Sequence, residues 1–456
     1  MRNIKIALWG ALALLAVLWL LAEQPTLDAT ASIAALRSPM VQFTGILAMG
    51  CMSLAMILAT RPRWPERWFG GLDKMYRLHK WLGIGGLVLA IAHWLWAQGF
   101  KWAIGFGWIA MPERGPRPAM ESTAEQTLEQ TLMSLRGTAE GVGEWAFYAV
   151  VVLIVIALVR LIPYRLFYLT HRLLAIAYLV LVFHAVVLTT FGYWTTPLGV
   201  VMAILLAYGT VAALLVLFNL VGAGRKVDGT ISGLHYYPEL SVLEGEVDVP
   251  QGWPGHKPGQ FAFVTSDSSE GAHPYTIASD WKPAEHRLAF IVKGLGDHTR
   301  RLREKLRIGM PVKVEGPYGG FTFDDDCPRQ IWVGGGIGIT PFIGRMKELA
   351  DRAAAASGSP AAQEIDLFHT TADYSDEAIA KLTADARAAN VRLHVLHDAR
   401  DGLLGGDRIR EAVPKWQEGS VWFCGPVGFG RALRRDLAAH GLPVNRRFHQ
   451  ELFAMR

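Results

Sequence analysis

Residues 73–98 read DKMYRLHKWLGIGGLVLAIAHWLWAQ. From Leu78 onward the stretch is almost wholly apolar and close to the length a helix needs to cross a bilayer, yet His79 and His93 stand inside it. Ionisable side chains within a span are costly and mark a functional site by default. The stretch is therefore read as a membrane helix that carries a site. Its two histidines are 14 residues apart, which returns an ideal helix to roughly 40° from its starting face.

The pattern occurs a second time. The apolar run 167–190 holds His171 and His184, 13 residues apart. That spacing leaves a straight helix roughly 140° off. Either the helix is irregular, or its two histidines serve sites on different sides. Apolar runs at 4–22, 40–60, 143–160 and 197–221 bring the total to six. Arg2 and Lys5 at the start of the first run also fit a secretory signal, whose removal leaves the direction of the second run unchanged.

Loop charge sets the expected orientation. Arg61, Arg63, Arg67, Lys74, Arg77 and Lys80 cluster between the second and third runs, and Arg160, Arg165 and Arg172 between the fourth and fifth. Arg225 and Lys226 follow the sixth. The opposite loops carry Arg37, nothing in 191–196, and four basic residues spread over 99–142. By the positive-inside rule both termini lie in the cytoplasm and 99–142 lies outside, with a short amphipathic helix expected near 123–135. The expected location is a bacterial inner (plasma) membrane.

With this topology the third and fifth runs point the same way. His79 and His171 then share the inner level, and His93 and His184 the outer level. Two helices that each offer an imidazole at two matching depths suit two stacked b-type haems, with both axial positions of each iron filled by histidine. The irons would lie about 20 Å apart along the bundle, at 1.5 Å per residue. Packing or proton-relay histidines are the competing reading. Arg77, Arg165 and Arg172 are candidates to meet propionates, or plain topology anchors.

Bulk composition supports this division. The chain has 456 residues, too many for a single core. Apolar residues make up 51% and charged residues 19%, below the usual quarter of a soluble protein. The net charge of +5 includes no dense basic run, so no nucleic-acid partner is expected. Cys51, Cys327 and Cys424 are too far apart for a cysteine metal site or a disulfide framework.

After Val221 the pattern changes to short strands with Gly and Pro turns, such as 258–265 and 287–293, as in a small antiparallel barrel. From 331–333 strands alternate with helices, recurring at 364–369, 391–397 and 420–424, with a helix at 341–354. This alternation implies a parallel sheet. The turn Gly334-Gly335-Gly336-Ile337-Gly338-Ile339-Thr340-Pro341 lets backbone approach a pyrophosphate at a helix N-terminus. A tight turn without ligand is the plainer alternative.

Together these stretches resemble the ferric reductase and NADPH oxidase superfamily over nearly the whole chain. His273-Pro274-Tyr275-Thr276-Ile277-Ala278-Ser279 resembles its flavin-binding stretch. The likeness implies that Tyr275 stacks on the flavin ring, Thr276 bonds near the reactive nitrogen and His273 faces the FAD phosphates. Lys293 and Gly296-Asp297-His298-Thr299 resemble its second phosphate stretch, and Gly316-Pro317-Tyr318-Gly319 the turn closing its barrel. Gly334, Gly335, Gly336, Gly338, Thr340 and Pro341 resemble its nicotinamide loop. Cys424-Gly425-Pro426 resembles a motif facing the nicotinamide, and Glu451-Leu452-Phe453 an ending whose ring covers the flavin. Tyr275, Thr276, Cys424 and Phe453 are thereby implied at the reacting centre. Residues 73–80 also look like the family's haem helices. The stretch His369-Thr370-Thr371-Ala372-Asp373-Tyr374 departs from members selective for NADPH, which often carry an arginine there, so NADPH or NADH remains open.

The resemblance implies a multi-domain chain. A six-helix transmembrane haem bundle spans 1–222, an antiparallel β-barrel FAD domain 223–327 and an α/β NAD(P)-binding domain 328–456. The expected route runs from cytoplasmic NAD(P)H to FAD, the His79/His171 haem, the His93/His184 haem and an external acceptor, either a ferric chelate or O2. Delivery to an extracytoplasmic redox partner is one alternative. A haem-free transporter or receptor with a nucleotide-sensing domain is another.

Overall fold

The computed structural model describes residues 2–27, 33–109, 127–159, 161–267, 270–355 and 363–451. The chain divides into two compact units, residues up to 65 with 74–221, and residues 66–73 with 222–455.

Among the described residues of the first unit, six helices are long and apolar enough to cross a membrane. They are α1 (Arg2–Leu27), α2 (Ile33–Ala59), α3 (Leu72–Trp94), α4 (Leu128–Leu158), α5 (Tyr164–Leu188) and α6 (Pro197–Leu217). Helices in lipid gain little from burying one another, so small residues and buried hydrogen bonds decide their packing. Gly209 on α6 does this work: a Cβ there would stand 1.9 Å from the Tyr178 hydroxyl of α5. The same hydroxyl shares a 2.8 Å hydrogen bond with Ser53 of α2, tying three helices together.

Two features depart from the sequence expectation. The stretch near 123–135 is not a separate amphipathic helix within its described part. Thr127 caps α4 in a box with Gln130, and the helix then runs unbroken through the apolar segment to Leu158. No proline interrupts it, so the polar first turns and the membrane span form one rod. The third span passes through a π-turn, Leu95–Gly99, before running on to Gly105. Such a turn shifts the hydrogen-bond ladder, and the Ala97 carbonyl is served by Arg37 Nη2 at 3.0 Å.

The second unit contains two sheets. The first is antiparallel, with β1 (Lys226–Tyr237), β2 (Val242–Asp248), β3 (Phe261–Thr265), β4 (His273–Thr276), β5 (Arg287–Lys293) and β6 (Pro311–Tyr318). Its order is β4-β3-β6-β1-β2-β5. The ladder is open rather than a closed barrel. A single bridge, Ile277 to Phe290, and a 2.8 Å bond from Ala278 N to the Ala289 carbonyl span its two edges. The helix α7 (Asp297–Lys305) follows β5.

The second sheet is parallel, with β7 (Arg329–Gly335), β8 (Glu364–Thr371), β9 (Arg392–His397), β10 (Ser420–Cys424) and β11 (Phe448–Gln450). It is flanked by helices α8 (Thr340–Ala355), α9 (Asp376–Ala388) and α10 (Val427–Ala439). The order β11-β10-β7-β8-β9 reverses direction between β7 and β10. Ligands of open α/β sheets bind in the crevice at that reversal. Trp332, Phe342, Phe323 and Trp422 pack ring to ring under it, at centroid distances of 5.0 to 5.7 Å. Each such buried ring contributes roughly 1.5–3 kcal/mol.

Candidate functional site

In the membrane unit, the four histidines come together as two pairs. The His79 and His171 ring centroids are 5.9 Å apart, and those of His93 and His184 are 6.1 Å apart. The helix α5 is unbroken from Tyr164 to Leu188, so no irregularity absorbs the 13-residue spacing. Both pairs are met from one continuous helix. His184 leans toward α4, while His171 stacks on Phe167 of its own helix at 5.0 Å.

Backbone carbonyls orient three of the rings. His79 Nδ1 donates to the Ala55 carbonyl at 2.9 Å, His93 Nδ1 to Val41 at 2.9 Å and His184 Nδ1 to Ala139 at 2.8 Å. A donor fixed on Nδ1 leaves Nε2 as a lone pair, the arrangement in which histidine binds a metal. His171 Nδ1 is buried without a hydrogen-bond partner among the described residues. The ring spacings fit an iron held between two Nε2 atoms by bonds of about 2 Å each. Gly143 provides the room His184 occupies: a Cβ there would meet Nδ1 at 2.0 Å. Gly45 does the same for His93, with a Cβ 3.1 Å from the ring.

Of the proposed propionate partners, Arg172 is engaged elsewhere. It donates to the Leu217 carbonyl at 3.0 Å, where α6 ends. The side chain of Arg165 lies outside the described residues.

In the second unit, β4 carries His273, Pro274, Tyr275 and Thr276. The helix α7 begins after Gly296, which caps it without a side chain and leaves its first N–H groups open to an anion. The two stretches meet: His273 stacks on His298 at 3.7 Å, and the Tyr275 hydroxyl lies 3.1 Å from His298 Nε2. His298 Nδ1 donates to Glu270, and Lys305 donates to Glu270 at 2.7 Å. These two donors hold the Glu270 carboxyl below the usual range. The chain Lys305–Glu270–His298–Tyr275 thus fixes the phenol of the residue implied to stack on flavin. Burial pushes His273 down to about 4, so it is neutral at physiological pH. Glu270, His273 and His298 also have metal-ligand atoms within 4.8 Å of one another, a gathering these hydrogen bonds account for.

Thr299 Oγ1 accepts from the backbone N of Leu295 and Gly296, both at 3.0 Å, and shapes the turn. Ser279 Oγ accepts from Ala289 N at 3.1 Å, and the Ser279 carbonyl accepts from His256 Nε2 at 2.9 Å. Lys293 Nζ pairs with Asp373 at 2.5 Å.

The two loops at the sheet reversal touch through backbone. Gly334 and Gly335 end β7, Gly336–Ile339 form a tight turn, and Thr340 and Pro341 open α8. Thr340 Oγ1 donates to the Ile337 carbonyl at 2.8 Å. A Cβ on Gly338 would lie 2.1 Å from the Cys424 carbonyl, and one on Gly335 2.9 Å from Pro426. Gly425 is as close to Gly335 from the other side, at 3.2 Å. Cys424 is fully buried, which pushes its thiol well up and keeps it protonated. On α8, Gly344 lets the helix rest on the Ile277–Ser279 backbone, 3.2 Å from the Ser279 carbonyl. Phe453 lies outside the described residues.

Sequence reasoning did not single out His256, Glu270, Lys305, Asp373, Gly45, Gly143 or the three carbonyls that orient histidines. Carbonyls have no sequence signature. Glu270 lies 28 residues from the histidine it holds.

Comparison with known proteins agrees with this geometry. Residues 44–182 match the ferric reductase like transmembrane component, and residues 233–322 match an FAD-binding domain. Ferric reduction oxidase 5 of Arabidopsis thaliana is 34% identical over 122 residues, covering 26% of this chain and 15% of that protein. The respiratory burst oxidase homolog protein E of Arabidopsis thaliana is 27% identical over 231 residues, covering 42% and 22%. The glycine betaine monooxygenase reductase subunit of Chromohalobacter salexigens is 24% identical over 214 residues, covering 43% and 56%. The chain thus spans about half the length of that reductase subunit and less of the two plant proteins.

A span-length helix bundle with paired histidines, an antiparallel flavin-type sheet and a parallel nucleotide fold define an oxidoreductase of the membrane. Over residues 44–182 and 233–322 the chain is similar to the ferric reductase and NADPH oxidase superfamily.

Proposed function

We propose that this protein moves electrons from cytoplasmic NAD(P)H, by way of FAD and two bis-histidine b-type haems, to an acceptor on the far side of the membrane. The observation that carries the reading is the pair of facing imidazole couples, 5.9 and 6.1 Å between centroids, on the same two helices. The chemistry such groups supply when bound is conversion of a two-electron hydride into single electrons and their passage across the apolar layer.

The protein's own residues provide position. His79 with His171 and His93 with His184 would hold the two irons. Ala55, Val41 and Ala139 carbonyls keep three of these rings in the metal-binding tautomer. Tyr275, fixed through His298 and Glu270, would support the flavin ring, and the N-terminus of α7 would take its phosphates. The Gly334–Gly338 turn and the start of α8 would take the nicotinamide pyrophosphate. The loop charges support a cytoplasmic position for this half. Arg37, one helical turn before Val41 whose carbonyl orients His93, donates to the Ala97 carbonyl.

The test is a dithionite difference spectrum together with turnover. Two six-coordinate b-type haems per chain are expected, with NAD(P)H oxidation supported by a ferric chelate or by oxygen supplied separately. One haem or none would sink the transmembrane route. Two haems with no turnover on either acceptor would redirect the reading to a protein acceptor.

A further inference from the structure

We infer that Asp373 makes the donor site selective for the unphosphorylated dinucleotide, NADH. This rests on the proposed nicotinamide reading and names its substrate. In a sheet of this order the pyrophosphate lies at the turn after the first strand, β7, and the adenosine ribose reaches the end of the second, β8. An acidic side chain there accepts hydrogen bonds from the ribose 2′- and 3′-hydroxyls, whereas a 2′-phosphate needs a cation.

The structure carries a carboxylate at that point. Asp373 is two residues beyond Thr371, the last residue of β8. The Thr371 hydroxyl donates to the Asp373 carbonyl at 2.8 Å and fixes the turn. Asp373 Oδ2 accepts from Lys293 at 2.5 Å, and Oδ1 has no partner among the described residues. A cavity joins it to the glycine turn, lined by Gly336, Ile337, Thr371, Asp373 and Lys293. A ribose hydroxyl can donate to the open oxygen without disturbing the pair.

A 2′-phosphate meets the opposite situation. Among the described residues lining that cavity, the two cations are Lys293 and Lys381, and both are already paired, Lys381 with Glu244 at 2.7 Å. On the neighbouring strand end, Arg400 is paired with Asp401 at 3.0 Å. A second carboxylate, Asp398, accepts from Thr370 at 2.7 Å beside the same strand end. The phosphate would face Asp373 or have to take Lys293 away from it. Like charges brought together in a partly enclosed site are disfavoured, which gives specificity by repulsion.

The full-length protein loaded with FAD is tested by anaerobic flavin bleaching with NADH and NADPH. NADH is expected to give a kcat/KM on the order of tenfold higher or more, the factor produced by about 1.4 kcal/mol. Asp373→Asn should bring the ratio near one, and Asp373→Glu should keep the preference. An equal or NADPH-favouring wild type, or an unchanged ratio in Asp373→Asn, overturns the inference. If neither nucleotide bleaches the flavin, the donor reading falls instead, and calorimetric titration with 5′-AMP and 2′,5′-ADP decides the matter. Tighter 5′-AMP binding, lost in Asp373→Asn, supports the inference. Equal binding, tighter 2′,5′-ADP or no binding of either overturns it.

Discussion

The two halves of this protein build their sites in opposite ways. In the membrane unit the site is made of side chains, and the backbone holds them from behind: four imidazoles meet in two pairs, and the Ala55, Val41 and Ala139 carbonyls orient three of them. In the second unit the site at the sheet reversal is made of backbone, and side chains are excluded. Gly338 and Gly335 stand so close to Cys424 and Pro426 that no Cβ fits. The contrast follows from the surroundings. A span must satisfy its own peptide groups, so a helix in lipid can offer a ligand only with its side chains. A strand-to-helix turn has free N–H groups and can offer the chain itself.

The sharpest way to break this comparison is to alter a glycine that serves a side chain. Gly143→Ala places a methyl group 2.0 Å from His184 Nδ1, on a helix that runs unbroken from Leu128 to Leu158. The expected result is loss of one of the two proposed haems in the difference spectrum, with flavin reduction by the nucleotide retained. A spectrum with both haems intact would show that His184 has slack.

Gly338→Ala tests the other half. Its Cβ would lie 2.1 Å from a carbonyl that belongs to a buried strand. Overpacking of this kind costs about 1–3 kcal/mol. A lower melting temperature and weakened nucleotide binding are expected, with both haems still present. Loss of haem in this variant would mean that the two halves fold as one.

Gly45→Ala calibrates the first test. Here the new methyl would be 3.1 Å from the His93 ring, a gap that a few tenths of an ångström relieve. A small shift in the haem spectrum is expected, not loss. If Gly45→Ala and Gly143→Ala behave alike, the steric account of both is wrong.

The smallest effect concerns pH. Burial holds His369 down to about 4, against the Gly334 carbonyl, which raises it. Unfolded, it titrates at its ordinary value of 6.5. Between these values the unfolded chain binds a proton that the fold refuses, so stability is full above about 6.5 and falls as pH drops toward about 4. His369→Gln should flatten that slope in thermal melts recorded across the window. An unchanged slope would assign it to other groups, His273 first, since it is also held down to about 4.

Much of this protein is legible in its sequence because two periodicities are strong. Six apolar runs give six long helices, and the strands read at 287–293, 364–369, 391–397 and 420–424 lie within one or two residues of β5, β8, β9 and β10. The pairing of His79 with His171 and of His93 with His184 follows from counting residues along rods of known rise. What was illegible is less regular. The capped start of α4 at Thr127 reads as a separate short amphipathic helix because its first turns are polar. The antiparallel sheet reads as a barrel, but whether its edges zip or meet at one bridge depends on register at Ile277 and Phe290, which alternation alone does not set.

By itself, then, the sequence determined which segments are long and apolar enough to cross a bilayer, which histidines pair and where glycines clear a strand-to-helix turn. These are local properties of length, rise and missing side chains. Only the tertiary structure decided the partners that lie far apart in the chain. It set Glu270 against His298, Lys293 against Asp373 and Gly143 behind His184. Such contacts depend on how separate elements dock, and no repeat along the chain encodes the few tenths of an ångström that make a glycine there necessary.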